Sequence, residues 1–448
     1  MRNLIVLICA VSAIIPASGQ TRIAIENVTV IDGTDHAPRR NATVVVQGQH
    51  ILAVSGNHTR QSKGTRVIDG SGKFVIPGLW NNDLHAGDYE KGKAAFPSLI
   101  SYGITTVRDM GAPLDDAVRL RADTASGRLI GPRLYIAGPL MEGPVPVQMP
   151  LIVDLFDEEQ ARGEVRILKH RAVDYVEVDT SLTPQLYSVI ADEARRQGLR
   201  LVGHIPLKID AATIVQAYQK NVEHLGGRYL NVLVACSSDQ GHFMDALAKI
   251  YDDLLTSVNE SRPPNEPQFR ADFVAKLLDT FDESRAQQLF RLYAKDGVAQ
   301  TPTLFVLKTL WETNKESQQL SDRDMQFGAR IFAKDLEVVG EMKRVGVPIL
   351  AGTDGLYSQG GESLHSELEL LVQAGLTPLQ ALQSATRDAA EFMGLSKSVG
   401  TVEPGKVADL VLLDANPLDD ISNTRHINAV LLHGTLFSKD ELAAMRSR

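Results

Sequence analysis

Cysteine is scarce in this chain of 448 residues, and its 46 basic residues are outnumbered by 55 acidic ones. Its two cysteines are Cys9 and Cys236, and Cys9 lies in a segment that we expect to be removed. The mature chain could then form no internal disulfide, so its stability must come from a sizeable core, which its 44% hydrophobic content allows. The formal net charge of −9, without long runs of one sign, argues against nucleic acid or an anionic membrane as a partner.

The longest apolar run lies at the N-terminus. Arg2 supplies a basic start, Leu4 to Ile15 form an apolar stretch, and Ala17-Ser18-Gly19 place small residues before a cleavage point. The apolar stretch is too short to span a bilayer comfortably. We therefore predict a cleaved signal peptide over residues 1–19. The mature protein would be secreted or periplasmic, with no membrane attachment.

Strand-like and helix-like segments alternate over most of the chain. Eight runs are predicted as strands: Phe74–Leu79 continuing to His85, Thr105–Val107, Leu134–Ile136, Tyr175–Val178, Leu201–His204, Asn221–His224, Ala299–Val306 and Pro348–Thr353. Amphipathic stretches separate most of them, as in Pro184–Gln197, Met325–Val345 and Pro378–Met393. This alternation predicts an α/β fold, a (β/α)8 TIM barrel, rather than an open doubly wound sheet.

Both ends of the mature chain differ in sequence pattern from the central part, because they consist of short β-branched runs separated by turns. Val28–Val30 and Thr43–Val46 are examples near the N-terminus, and Asp409–Leu413 is one near the C-terminus. We expect these ends to form one small β-sandwich. The predicted domains are the signal peptide 1–19, a barrel over 78–397, and a β-sandwich built from 20–77 and 398–448.

Residues 225–298 make a connection much longer than βα units usually need. Helices are predicted at Asp245–Leu254 and Phe269–Leu292, with a Pro- and Asn-rich loop between them. They would either form a lid or wall of a substrate pocket or simply lengthen the connection. The sequence does not separate these two interpretations.

Polar residues stand at or near the ends of several predicted strands. In a parallel barrel these ends share one mouth, and side chains two residues apart on a strand share one face. Imidazole nitrogens and carboxylate oxygens are ligands for divalent metal ions. One strand-end histidine is more often structural, so the prediction of a metal site rests on the whole set in barrel order: Asp83, His85, Glu177, His204, His224 and Asp354.

Several longer motifs carry a family resemblance. They are Val75-Ile76-Pro77-Gly78-Leu79-Trp80, Gly103–Asp109, Gly131-Pro132-Arg133, Val222-Glu223-His224, Ala351-Gly352-Thr353-Asp354, Leu364–Leu368 and Gly400–Val411. With these motifs the chain resembles the amidohydrolase superfamily, in its imidazolonepropionase-like and prolidase-like branch, over residues 22 to 437. The resemblance implies the barrel, the β-sandwich from both ends, and a centre of one or two metal ions, usually zinc.

Two positions depart from the family pattern. The first strand reads Asp83-Leu84-His85, where the family has His-x-His. Glu177 stands where binuclear relatives have a carboxylated lysine, and its carboxylate can bridge two metals without that modification. Replacing imidazole by the harder carboxylate at Asp83 shifts the metal preference from Zn2+ toward Mn2+, or else marks a site that has lost metal.

The resemblance also implies the chemistry: hydrolysis of a small-molecule amide, a dipeptide or an N-acyl amino acid, with Asp354 as the catalytic proton carrier. Arg228 and Tyr229 could hold a substrate carboxylate, or could be a loop ion pair and a packed tyrosine. His365 and Glu367 are expected to be a structural pair. The alternatives are a cyclic amide or amidine hydrolase or deaminase, and a metal-depleted barrel that only binds a small ligand.

Overall fold

The computed structural model describes residues 22–56, 61–144, 149–227, 229–260, 262, 271–317 and 322–446. The predicted signal peptide lies outside the described residues. In the described part of the chain, no helix combines the length and the apolar character needed to cross a membrane.

The strands come in three groups along the chain. The first group is β1 (Arg22–Val30), β2 (Arg39–Gln47), β3 (His50–Ser55), β4 (Arg66–Asp69) and β5 (Phe74–Pro77). The second group is β6 (Leu79–Leu84), β7 (Ile104–Asp109), β8 (Arg133–Ile136), β9 (Leu140–Glu142), β10 (Ile152–Asp154), β11 (Tyr175–Val178), β12 (Arg200–Gly203), β13 (Asn221–Glu223) and β14 (Ala299–Thr301). The third is β15 (Leu410–Leu413), β16 (Ile427–Leu432) and β17 (Thr435–Ser438).

Helices follow most strands of the second group. They are α1 (Tyr89–Ser101), α2 (Leu114–Ala125), α3 (Glu158–His170), α4 (Pro184–Gln197), α5 (Asn231–Ala235), α6 (Gln240–Asn259), α7 (Ala271–Asp279), α8 (Glu283–Asp296), α9 (Leu304–Ser317), α10 (Asp322–Arg344), α11 (Gly360–Gln373), α12 (Pro378–Ser384), α13 (Arg387–Phe392) and α14 (Lys439–Arg446). Two 3-10 turns, Thr213–Val215 and Ile421–Arg425, complete the helical elements of the described residues.

Local signals explain where the helices begin and end. Helix α4 has its predicted bounds because the Thr183 hydroxyl accepts a hydrogen bond from the Leu186 amide, and Gly198 ends the helix in the left-handed conformation. The predicted helix Pro378–Met393 is divided at Thr386, whose ψ of −92° is not helical. The predicted helix Phe269–Leu292 is likewise wrong as one element, since Asp282 caps a new helix, α8.

The predicted strand Ala299–Val306 is wrong beyond Thr301. Pro302 has no amide to extend the ladder, and Thr303 has a φ of +48° that turns the chain. Helix α9 then begins at Leu304, and the Glu367 carboxylate accepts a hydrogen bond from the Phe305 amide at 2.7 Å. Residues 348–353 were also predicted as a strand. They form isolated β-bridges, such as the parallel bridge between Gln300 and Ile349, but no regular strand.

The two ends of the chain meet in one sheet. Its strand order is β17-β16-β15-β5-β1-β2-β3, with β4 beside β1. Strands β5 and β15 pair antiparallel, with Ile76 opposite Val411 and Phe74 opposite Leu413. One face packs its own apolar cluster, which includes Ile25, Val44 and Leu412. The expected pairing of the ends is therefore present, while a two-layered β-sandwich stays a prediction.

The central strands form a TIM-barrel-like α/β fold. They are grouped in three parallel sheets, β6-β7-β8, β10-β9-β11-β12 and β13-β14, rather than in one closed sheet. Backbone hydrogen bonds join the edges, and among them are those from Asp174 to Ile136, from Lys220 to Leu201, from Leu350 to Gln300 and from Asn82 to Ala351. All strand pairs within these sheets are parallel, so their C-terminal ends point the same way.

Candidate metal centre

The first cluster of polar side chains forms where residues 348–353 run beside β6. The amides of Thr353 and Asp354 both donate to the Asp83 carbonyl oxygen, at 3.2 and 2.9 Å. Asp354 itself has a φ of +45°, so the chain turns there and leaves its carboxylate next to the end of β6. As a result, Asp354 Oδ1 lies 3.2 Å from His85 Nε2, and Asp83 Oδ1 lies 4.0 Å from the same nitrogen.

A second cluster forms at the ends of β12 and β13. One potential ligand atom from each of His204, Glu223 and His224 lies within 4.8 Å of the others, and the same holds for Asp83, His85 and Asp354 in the first cluster. The imidazole rings of His204 and His224 stand edge to face at 5.0 Å. His224 Nε2 also lies 3.8 Å from Asp83 Oδ2 and 3.7 Å from Asp354 Oδ2. The two clusters therefore adjoin and make one site.

Glu223 is the residue of this site that the sequence interpretation missed. Side chains of consecutive strand residues point to opposite faces, so Glu223 and His224 would not be expected to share a site. Strand β13 ends at Glu223, and His224 has a φ of +50°. The left-handed turn brings both side chains into the same space. A strand-end acid directly before a histidine was the signal available in the sequence.

Glu177 lies in neither three-residue cluster, although it is close to the site. It is buried on β11, and its charge interacts with those of Glu223 and Asp83. Its Oε2 atom accepts no hydrogen bond from the described residues. The role of Glu177 as a bridge between two metals stays a prediction.

Buried carboxylates without donors are the main electrostatic feature. Both oxygens of Asp83 and one oxygen of Glu223 are buried and accept no hydrogen bond from the described part of the chain. Burial, followed by the charges of Glu223 and Asp354, raises the pKa of Asp83 well above its ordinary value. Burial raises the pKa of Glu223 to about 7, although Arg108 and His204 oppose this effect. Such groups are costly in a folded protein unless a cation neutralises them.

Histidine protonation supplies part of that positive charge. Burial opposes the charged form of His85, but the hydrogen bond and charge of Asp354 raise the pKa of His85 to about 10. Burial likewise opposes the charged form of His204, and Asp179 raises its pKa to about 9. Burial lowers the pKa of His224 to about 4. Protonated His85 and His204 thus supply the site with positive charge of the kind that a bound metal cation would supply.

All three imidazoles are oriented in the same way. His204 Nδ1 lies 2.7 Å from Asp179 Oδ1, and His85 Nδ1 lies 3.3 Å from the Gly111 carbonyl oxygen. His224 Nδ1 lies 2.6 Å from the Thr303 hydroxyl, whose own proton is donated to the Pro302 carbonyl. Each partner accepts a hydrogen bond from Nδ1–H, so Nε2 is the nitrogen that can bind a metal ion once the ion displaces any proton held there. The donor set and its orientation therefore fit a divalent cation.

Four further residues were predicted from the sequence: Arg228, Tyr229, His365 and Glu367. Arg228 lies outside the described residues, and Tyr229 is buried in the main hydrophobic core. His365 lies between the Thr424 hydroxyl and the Tyr102 carbonyl, at 2.9 and 3.1 Å. Glu367 caps α9, as described above. These last two residues are structural, but they hold different parts of the fold and do not pair with each other.

Comparison with known proteins agrees with this geometry. The model of the amidohydrolase family matches residues 74–436. The sequence is 21% identical to ochratoxinase of Aspergillus niger over 481 aligned positions, covering 93% of this chain and 86% of that protein. A Xaa-Pro dipeptidase with bound methionine superposes with a TM-score of 0.71 at 18% identity, covering 93% of this chain and all of that one. A prolidase-like protein from Bifidobacterium longum gives 0.70 at 23% identity, covering 96% and 100%.

Proposed function

Because the chain belongs to the amidohydrolase family and is a hydrolase of carbon–nitrogen bonds, we propose that its substrate is a dipeptide or an N-acyl amino acid. The observation that carries this proposal is the pair of adjoining clusters, in which buried carboxylate oxygens lack donors and three imidazoles use Nδ1 for other partners and keep Nε2 for the site. The relatives support the substrate class, since one is a Xaa-Pro dipeptidase and another is prolidase-like.

The proposed ligand sets follow the two clusters. Asp83, His85 and Asp354 would hold one ion, and His204 and His224, with Glu223 beside them, would hold a second. Glu177 would lie between the two. Imidazole nitrogens favour Zn2+, whereas the four carboxylates of the proposed set admit Mn2+. When bound, such an ion lowers the pKa of a water molecule and polarises a carbonyl group.

Asp354 is proposed to carry the proton of the reaction. Its side chain is 32% exposed, whereas the Asp83 side chain is 1% exposed, so only Asp354 of this pair can reach a substrate entering from solvent. Burial opposes its charged form, but His224 and His85 lower the pKa of Asp354, so it stays a carboxylate that can accept a proton. It would take the proton of the attacking water and pass it to the leaving nitrogen.

A metal and activity assay tests the proposal. Purified protein should contain about two equivalents of divalent metal, as two adjoining ligand sets require. A chelator should abolish hydrolysis of dipeptides or N-acyl amino acids, and Zn2+ or Mn2+ should restore it. One equivalent with turnover of cyclic amides or amidines would favour the deaminase-like alternative. Absence of bound metal with unchanged ligand binding would favour the non-catalytic barrel.

We also propose the finer architecture and the cellular location. Residues 78–397 would form a closed (β/α)8 barrel, and residues 20–77 with 398–448 would form a small β-sandwich. The segment 1–19 would be a signal peptide cleaved on export to the periplasm or the medium. N-terminal sequencing of exported protein should start near Gln20, and a start at Met1 would contradict the export proposal.

A further inference from the structure

Glu142 is a buried carboxylate on the same side of the sheet as the metal centre. The residue before it, Met141, pairs with Val178, and both pack in the main hydrophobic core. Strand side chains alternate between faces, so Glu142 points the other way, toward the face that carries Glu177 and Asp179. Its charge interacts with those of Asp179 and His204. Glu142 therefore borders the second cluster without belonging to it.

Two backbone amides hold the Glu142 carboxylate in place. The amides of Gly143 and Ser181 each donate to its Oε1 atom at 2.7 Å. A Cβ atom on Gly143 would lie 1.9 Å from the Ser181 carbonyl oxygen, so a glycine is required for this close approach. The carboxylate is thus oriented by the chain.

His204, whose charge interacts with that of Glu142, is already paired with Asp179 at 2.7 Å. Glu142 is 3% exposed, and within the described ranges no lysine or arginine forms an ion pair with it. Burial, followed by the charge of Asp179, raises the pKa of Glu142 well above its ordinary value. A buried carboxylate that the protein leaves unpaired is expected to gain a partner from a ligand.

Helix α6 of the long 225–298 connection brings an unsatisfied hydroxyl group near Glu142. The side chains of Gln240 and Asp252 bind Asp210 and Lys208 in the loop after β12, at 2.7 and 2.8 Å. Tyr251, between these two anchors, is 2% exposed, and its hydroxyl has no hydrogen-bond partner in the described part of the chain. Burial, followed by the nearby Glu142 charge, raises the pKa of Tyr251.

We propose that Glu142 and the Tyr251 hydroxyl bind a free ammonium group of the substrate. The substrate would then be an unblocked dipeptide rather than an N-acyl amino acid, a conclusion that rests on the proposed hydrolase function. An ammonium group has three donors and no acceptor, so a carboxylate and a phenol oxygen suit it. In a dipeptide this group lies two bonds from the scissile carbonyl carbon. The Lys208 ammonium, 4.2 Å from the Tyr251 ring centre, is already paired with Asp252.

Alanyl and propionyl derivatives of one amino acid test this proposal, because they differ only in the ammonium group. The metal-loaded parent should cleave the alanyl compound with a kcat/KM about 30-fold or more above that of the propionyl compound, as loss of one partner of a buried charge pair predicts. Glu142→Gln should bring this ratio toward one. Its amide oxygen can still accept from Gly143 and Ser181, so the loop should keep its shape. Tyr251→Phe should lower the ratio by several-fold.

Asp245→Asn is the matched control. It removes a charge from an exposed position of α6 but leaves both proposed binding groups and the Lys208–Asp252 pair, so the substrate ratio should stay as in the parent. Binding of the two compounds to protein from which a chelator has removed the metal gives a measurement that does not depend on turnover. The alanyl dipeptide should raise the melting temperature of the parent more than that of Glu142→Gln, and the propionyl compound should affect both equally.

The outcomes separate this proposal from the hydrolase function. Equal cleavage of both compounds, or preference for the propionyl compound, would overturn ammonium recognition and leave the hydrolase intact. If neither compound is cleaved, the dipeptide-hydrolase proposal is in question, and the melting-temperature comparison still decides ammonium recognition. A dipeptide that stabilises the parent and Glu142→Gln to the same extent overturns it.

Discussion

Asp354 and Asp83 show how the same side chain acquires different roles from its surroundings. Asp83 is sealed at the end of β6 with no donor to its oxygens, so it is suited to hold a cation and little else. Asp354 is partly exposed and lies against His85 and His224, so it can both touch a cation and exchange a proton. At the scale of single residues, exposure therefore decides which of the two proposed metal ligands can also serve as the proposed proton carrier.

Asp354→Asn should lower kcat by about 10²- to 10⁴-fold, the usual contribution of a general acid–base group. The variant should retain most of its metal, because Asp83, His85 and the second cluster remain. Turnover and metal content are measured on the same preparation. Asp115→Asn, at an exposed position on α2, is the control and should match the parent. Hydrolysis by Asp354→Asn at the parent rate would contradict the proposed proton transfer.

Glu223 makes the stability of the metal-free protein depend on pH. Its folded pKa of about 7 exceeds the ordinary value of 4.5, so the folded state holds a proton that the unfolded state releases. The contribution of this proton to the free energy of unfolding is fully present below pH 4.5. It is lost as the pH rises from there to about 7, by about 1.4 kcal/mol for each pH unit. Burial of the carboxylate is the cause.

Glu223→Gln should remove this loss of stability with rising pH. After treatment with a chelator, the free energy of unfolding of the variant should exceed that of the parent increasingly between about pH 5 and pH 7. Urea unfolding at several pH values measures the difference. Glu90→Gln, on the exposed surface of α1, should show the pH dependence of the parent. If the free energies of unfolding of Glu223→Gln and the parent change with pH in parallel, Glu223 does not titrate in this range.

At the scale of elements, the site depends on how closely residues 348–353 approach β6. Gly352 lies at this contact, where an added Cβ atom would be 2.7 Å from the Asp83 Cβ atom and 2.5 Å from a Thr301 methyl group. The backbone hydrogen bonds from Thr353 and Asp354 to Asp83 cross the same contact. A small residue is therefore needed to keep the first cluster together.

Gly352→Ala should separate these segments, lowering stability by about 1–3 kcal/mol and reducing metal content. Gly163→Ala is a matched control on helix α3, because a Cβ atom there meets nothing within 4 Å. That substitution should be neutral or should stabilise by up to about 1 kcal/mol. Thermal unfolding and metal analysis of both variants check the prediction. Normal metal content in Gly352→Ala would show that the contact is not needed.

At the scale of the whole molecule, the C-terminal strands complete a sheet that the N-terminal strands begin. Removing residues 398–448 would delete β15 and leave β5, which leads directly into β6, as an open sheet edge. It would also remove Val411, Leu413 and Val430 from the main core. Open edges and lost core contacts both promote aggregation.

The chain truncated after residue 397 is therefore expected to be insoluble or to unfold without a cooperative transition. A chain ending at residue 446, which keeps β15 to β17 and α14, should behave as the full chain does. Size-exclusion chromatography and thermal unfolding compare the two. A soluble truncated chain that binds metal would show that the central α/β fold is independent of the end sheet.

Sequence reasoning accounted for the repeated, short-range features. The alternation of strands and helices predicted the TIM-barrel-like fold, and an amphipathic pattern predicted the bounds of α4, Pro184–Gln197. Strand-end placement also brought His85, His204, His224 and Asp354 to attention. All of these follow from patterns over a few neighbouring residues, which the sequence displays directly.

Only the tertiary structure decided which side chains meet. Glu223 joins His224 because of a left-handed turn that the two-residue strand period does not foresee, and Thr303 ends a predicted strand in the same way. Glu142 and Tyr251 are more than 100 positions apart, and helix α6 brings them near each other only after it packs on the loop that follows β12. Backbone turns and long-range packing depend on contacts distant in sequence, and local patterns do not encode those contacts.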